Sequence, residues 1–162
     1  MKYYDDFVAG EAEQVGDYHL TKDDVIAFGE KWDPQFFHTD PDAAGASMFS
    51  GLIAAGTQLM SIAVLLLVTH RPRVSVLAGL GWDEVRFLHP ARPGDTLTLF
   101  RECVECRESA SETDRGIVKN RITLKNQNSH TVLSYVDTIL VKRRPDVFRP
   151  VALRDLFRGR ES

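Results

Sequence analysis

Cysteine is scarce in this chain: 162 residues contain two, Cys103 and Cys106. No second pair completes a zinc set, and a spacing of three turns the two side chains to opposite faces of a strand. They read as ordinary reduced thiols rather than a metal or redox motif. An excess of one charge is also missing. The 20 basic and 23 acidic residues leave a formal net charge of -3 and are spread along the chain, which excludes the polyelectrolyte character that nucleic-acid binding needs. The opening MKYYDDFVAGEAEQ has neither a basic stretch nor an apolar core, so no secretory signal is expected and the cytoplasm is the default location. Internal repeats and low-complexity tracts are absent, and the length suits one domain with a real core.

One long uncharged run is present. Leu52 to Val68 reads LIAAGTQLMSIAVLLLV, with Thr57, Gln58 and Ser61 near its middle. It sits at the lower edge of membrane-spanning length, and a helix buried in a soluble core explains it better. Before it, Thr21 and Asp24 form a capping-box pattern, and Leu20 can staple onto Val25. The helix they start carries Val25, Phe28 and Trp32 as an apolar stripe and must stop at Asp33-Pro34, because proline pushes the preceding residue out of the helical region. Asp40 with Pro41 behind it marks the start of a further short helix. After Arg71-Pro72 the pattern becomes extended. Strands are expected at Val74 to Leu80, Asp83 to Leu88, Thr96 to Glu105, Ile117 to Asn126 and Thr131 to Lys142, with links too short for crossover helices. The expected class is α+β: an antiparallel sheet with one buried helix. The basic, Pro-interrupted tail 143–162 is set apart from a single domain at 1–142, with Val151, Leu153, Leu156 and Phe157 suggesting a short docking helix.

The segment Asp33-Pro34-Gln35-Phe36-Phe37-His38 carries the chemistry. On one regular helix, residues five apart point about 140° from each other. A bent loop can instead aim the carboxylate and the imidazole at one point, as a general acid/base pair requires. The run through Asp40 and Pro41 resembles the motif D-x-N-P-L/I-H-x-D of the MaoC-like dehydratases and (R)-specific enoyl-CoA hydratases. Gly51-Leu-Ile-Ala-Ala-Gly56 resembles that family's I-A-H-G element. Leu80-Gly-Trp-Asp-Glu-Val-Arg-Phe87 and Pro93-Gly-Asp-Thr-Leu97 resemble its strand and G-D-x-L turn. Three such motifs in order are far more specific than any one. Gln35 replaces the family's Asn, Ala55 its His, and Val64 stands where some members carry a helix serine.

The resemblance implies a hotdog fold, in which the sheet wraps the long helix, and an enzyme that hydrates 2-enoyl-CoA or dehydrates (R)-3-hydroxyacyl-CoA. It implies Asp33 and His38 as the catalytic pair acting through water, and the Gly56 backbone N–H as the group that polarises the thioester carbonyl. Phe36, Phe37, Met48 and Phe49 would line an acyl pocket, and Arg86 is a candidate contact for coenzyme A phosphates, along with His89 and Arg92. No metal or prosthetic group is implied. The partner is an acyl-CoA or acyl carrier protein thioester, and the assembly a homodimer or dimer of dimers. Plainer roles stay open for the same residues. An isolated Asp/His pair is commonly a helix-end salt bridge, Asp33, His38, Asp40 and Asp42 are possible metal ligands, Gly56 can serve close packing, and the phenylalanines can be core. Within the fold, an acyl-CoA thioesterase and a silent acyl-thioester binder or assembly subunit are the alternatives.

Overall fold

The computed structural model describes residues 1–145. Five antiparallel strands, β1 (Ala12–His19), β2 (Val76–Phe87), β3 (Thr96–Glu108), β4 (Arg115–Lys125) and β5 (Thr131–Lys142), form one sheet in the order β1-β3-β4-β5-β2. The helices precede β2: α1 (Lys22–Trp32), α2 (Phe36–Thr39), α3 (Pro41–Gly45) and α4 (Gly56–Thr69). The sheet curls around α4, giving the hotdog arrangement. Along β4 every second side chain is buried, from Gly116 through Val118, Asn120 and Ile122 to Leu124, as period-2 alternation demands of a strand with one covered face. Leu59, Ile62, Ala63 and Leu66 of α4 close that core against Leu97, Leu99, Ile122, Leu133 and Tyr135. None of the described helices is long and apolar enough to cross a membrane.

The start signals of the helices are realised. The Thr21 hydroxyl accepts from the Asp24 N–H at 3.1 Å and the Asp24 carboxylate accepts from the Thr21 N–H at 3.2 Å, while Leu20 and Val25 are buried in one cluster. Asp40 Oδ1 accepts from the N–H groups of Asp42 and Ala43 at the head of α3, so capping already occupies this carboxylate oxygen.

Several expectations need correction. First, the long helix begins at Gly56, not Leu52. The 52–55 stretch is extended because its backbone is tied sideways, Ile53 N–H to the Phe37 carbonyl and Ala54 N–H to the Ala91 carbonyl. Second, α4 is not enclosed on all sides: Val64, Leu65 and Val68 are exposed in the single chain. Third, the two strands expected between Val74 and Leu88 are one, bent by register shifts at Gly79/Gly81 and Asp83/Arg86. Fourth, β1 carries no strand signal in the sequence because it is an edge strand with a single buried side chain, Val15. Fifth, Cys103 and Cys106 share a face. A register shift between Cys103 and Glu105 inserts one extra residue, so that Cys103 pairs with Asn120 and Cys106 with Val118, both inward, and the sulfurs lie 3.2 Å apart. Trp32 also departs from the expected stripe, standing 65% exposed with the Lys31 ammonium over its ring. The tail segment with Val151 and Phe157 lies outside the described residues.

Candidate functional site

Asp33 is the C-cap of α1, with φ −152° and ψ 75°, and its N–H still closes the helix onto the Gly29 carbonyl. The chain turns through Pro34 and enters α2, which carries His38 back beneath the end of α1. The approach is so close that a Cβ on Gly29 would lie 2.9 Å from the His38 Cβ and 3.0 Å from its carbonyl oxygen. Only glycine lets α1 and α2 meet this way.

The result is a convergent pair. His38 Nε2 lies 3.5 Å from Asp33 Oδ2, while the other imidazole nitrogen, Nδ1, is 2.7 Å from the Ile53 carbonyl oxygen. A carbonyl can only accept, so Nδ1 carries a proton and donates it. In the neutral ring Nε2 is then the free base facing Asp33, and in the charged ring it is an acid at the same place. The imidazole is buried and the carboxylate about one third exposed, so the pair is fixed at its base and open at its tip. Gln35 Nε2 donates to Asp33 Oδ1 at 2.9 Å, holding one carboxylate oxygen and leaving Oδ2 for the histidine. The longer amide that departs from the family's asparagine thus still grips the aspartate.

Phe37 packs edge-on against His38, with ring centroids 4.6 Å apart, and against Phe36 and Phe49 at 5.0 and 5.1 Å. These three aromatics are brought together beside the pair. Met48 is not, being 90% exposed. Arg86 is exposed on β2 and turns back on the Val85 carbonyl. Arg92 is a brace, donating to the Phe49 carbonyl and so anchoring the loop before Gly51.

Gly56 is the first residue of α4, and among the described residues its N–H makes no hydrogen bond. Amides in a first helical turn have no partner within the helix and favour negative charge. A Cβ here would fall 2.6 Å from the Phe87 ring, so packing by itself accounts for a glycine at this position. Val64 lies on the exposed flank of α4 and Ala55 is buried at its N-cap; the side chain of neither can donate a hydrogen bond to the pair.

Three contributors to the site were not read from the sequence. They are the Ile53 carbonyl that fixes the imidazole, Gly29 beneath it, and the grip of Gln35 on Asp33. Gly29 sits in a helix, where a glycine is costly and so needs a reason; that cost was the available signal.

The family model described as "MaoC like domain" matches residues 7–126. A MaoC-like dehydratase from Rhodospirillum rubrum has a similar structure, with a TM-score of 0.84 and 32% identity over 90% of this chain and 99% of that one. YdeM of Bacillus subtilis is 27% identical over 140 residues, 86% of this chain and 98% of the relative. The unliganded (R)-hydratase PhaJ1 from Pseudomonas aeruginosa shares the fold, with a TM-score of 0.72 and 21% identity over 88% and 86% of the two chains. The chain therefore belongs to the MaoC-like domain family.

Proposed function

We propose that this protein catalyses the reversible hydration of a 2-enoyl-CoA, equivalently the dehydration of an (R)-3-hydroxyacyl-CoA, at the Asp33/His38 pair. One observation carries this reading: the Nδ1–H bond to the Ile53 carbonyl aims His38 Nε2 at Asp33 Oδ2. Membership of a family that includes hydratases supports it. Hydration needs a water deprotonated as it attacks C3, a proton delivered to C2, and the enolate oxygen stabilised between the two steps. In this reading Asp33 Oδ2 and His38 Nε2 hold the attacking water between them, one taking its proton while the other supplies one. The Gly56 N–H, at the positive end of α4, receives the thioester oxygen as charge builds on it. In this reading Phe36, Phe37 and Phe49 shield the acyl group from water, and Arg86 remains a proposed contact for the carrier's phosphates although its guanidinium donates to the Val85 carbonyl. The chemistry uses acid/base groups and calls for no prosthetic group.

The functional unit in this reading is a homodimer joined along β2. That strand is a sheet edge, and Val76, Leu77, Leu80, Trp82 and Phe87 on it are each about half exposed, an apolar edge that a monomer rarely leaves open. A thioesterase would need its water against C1 instead.

The test is an assay with a short 2-enoyl-CoA, following loss of the conjugated thioester absorbance. Wild type hydrates it, and Asp33→Asn and His38→Ala each lower the rate by about 10²-fold or more. Full activity in both variants removes the pair from the mechanism, and release of free thiol by wild type makes the protein a thioesterase.

A further inference from the structure

The bulge in β3 brings together two thiols that their spacing would separate. Residues three apart on a regular strand point to opposite faces. The register shift at Cys103/Glu105 instead sets Cys103 against Asn120 and Cys106 against Val118, both on the buried face of β4. Both cysteines are free, Cys103 buried and Cys106 partly exposed, and their sulfurs lie 3.2 Å apart.

Their surroundings tolerate a change of bonding. The pair belongs to a small apolar cluster with Phe7, Val118, Ile139 and Val141, separate from the main core around α4. Tyr4, in the N-terminal turn Tyr4–Asp6, packs on this cluster, and its ring rests so close to Gly116 that a Cβ there would lie 2.2 Å away. Arg144 and Arg143 hold that turn through ion pairs with Asp6 and Asp5 at 2.6 and 3.3 Å. Cys103 also borders a cavity of about 370 Å³, together with Lys2, Glu13 and Arg101. Its side chain is therefore not locked by packing on every side, and movement there leaves the α4 core undisturbed.

The two thiols are also unequal. Burial pushes the Cys103 thiol up to about 12, so at neutral pH it keeps its proton and is no nucleophile toward molecules outside the protein. Cys106 is the thiol that a dissolved oxidant meets. A disulfide needs its sulfurs about 2 Å apart, so an approach of about 1 Å from the observed separation closes one. One thiol within reach of solvent with a second directly behind it is the arrangement that turns oxidation of the first into a disulfide rather than a higher oxide.

We propose that Cys103 and Cys106 form a reversible oxidation site, at which a hydroperoxide converts the two thiols into a disulfide within the chain. The Cys106 thiolate attacks one peroxide oxygen and the O–O bond breaks. Cys106 becomes a sulfenic acid, and the departing hydroxide takes up the proton that Cys106 gave to solvent and leaves as water. The Cys103 sulfur then attacks the Cys106 sulfur, the S–S bond forms and the S–O bond breaks. The hydroxide released accepts the Cys103 proton and leaves as a second water, so two thiols are oxidised and one peroxide is reduced. A small thiol reverses the change by attacking the exposed Cys106 sulfur. The site stands independently of the hydratase reading, since neither Asp33 nor His38 takes part.

Mass spectrometry of the full-length protein after reduction and exposure to hydrogen peroxide tests this directly. Cleavage after Arg101 and Arg107 releases both cysteines in one peptide; it is expected to be lighter by two hydrogens, and to regain them with dithiothreitol. In Cys103→Ser, Cys106 is expected to stop at the sulfenic acid and be captured by dimedone. In Cys106→Ser, the remaining buried thiol is expected to disappear at least about tenfold more slowly than the thiols of wild type. Wild-type thiols that persist while free cysteine in the same solution is oxidised would overturn the proposal. So would a disulfide joining two chains, a sulfinic acid at Cys106 with Cys103 still free, or equal rates in wild type and Cys106→Ser. The wild-type peptide mass decides the matter even where the substitution of buried Cys103 prevents folding.

Discussion

The geometry of Asp33 and His38 is set by small features around them. Adding a methyl group at Gly29 would drive α1 into the His38 backbone and Cβ. Gly29→Ala should cost about 1–3 kcal/mol of stability, a typical overpacking loss. Gly45, with open space where a Cβ would go, is the control, and Gly45→Ala should leave the thermal midpoint unchanged or slightly raised. Calorimetry of the two variants side by side checks this. A second residue-scale expectation concerns Gln35, whose amide grips Asp33 Oδ1. Gln35→Leu should lower the hydration rate about tenfold, the weight of one hydrogen bond to a charged group in a partly solvated setting. Gln35→Asn should recover part of the loss and shift the pH–rate profile back toward wild type; profiles of all three proteins that superimpose would show that Gln35 does not act on the pair.

At the scale of elements, two carboxylates are shifted in opposite directions. Asp24 in the α1 capping box is held below the ordinary carboxylate value, first by its bond with the Thr21 side chain and then by the Thr21 backbone and Tyr18. Its folded pKa is depressed, so its stabilisation is present above the unfolded value near 4 and is lost as pH falls through the folded value. Asp137 is raised, chiefly by burial, against the lowering effect of the Trp82 N–H and of Arg101. Its contribution has the opposite sense: stability is full below the unfolded value and is lost as pH rises through the folded one. Asp137→Asn should therefore raise the melting temperature at pH 7, with the gain shrinking toward pH 4, whereas Asp24→Asn should lower it at pH 7. Melting curves across that range decide both. The bulge in β3 has a consequence of its own. Burial, with Cys106 alongside, pushes the Cys103 thiol up to about 12, so it should react with a thiol reagent at neutral pH only as fast as the chain unfolds.

For the whole molecule, apolar side chains are exposed on α4 as well as on β2: Val64, Leu65 and Val68. The same helix that closes the core on one side leaves its other side uncovered. If β2 is the dimer edge, Leu80→Lys should move the protein from dimer to monomer in sedimentation velocity while leaving the circular dichroism spectrum of the fold intact. A wild type that sediments as a monomer would refute the edge-joined assembly.

Much of this was legible in the chain because it is written locally. Capping boxes, proline stops and period-2 alternation involve residues a few positions apart, and so α1, α3, β3, β4, β5 and the bend after Asp33 could be read directly, whereas the helical turn α2 that carries His38 was not, the segment reading as an extended loop. The family motifs did the same for the order of the parts. What the sequence could not specify depends on residues distant along the chain. The true start of α4 follows from bonds that Phe37 and Ala91 make to the 52–55 backbone, β1 exists because β3 accepts it as an edge, and the two thiols converge because one residue of β3 is left unpaired against β4. The sequence by itself determined which side chains are the candidates for acid/base chemistry. Only the tertiary structure decided that the Ile53 carbonyl orients the imidazole and that Gly29 lies against it, because register and long-range packing place groups that share no local pattern.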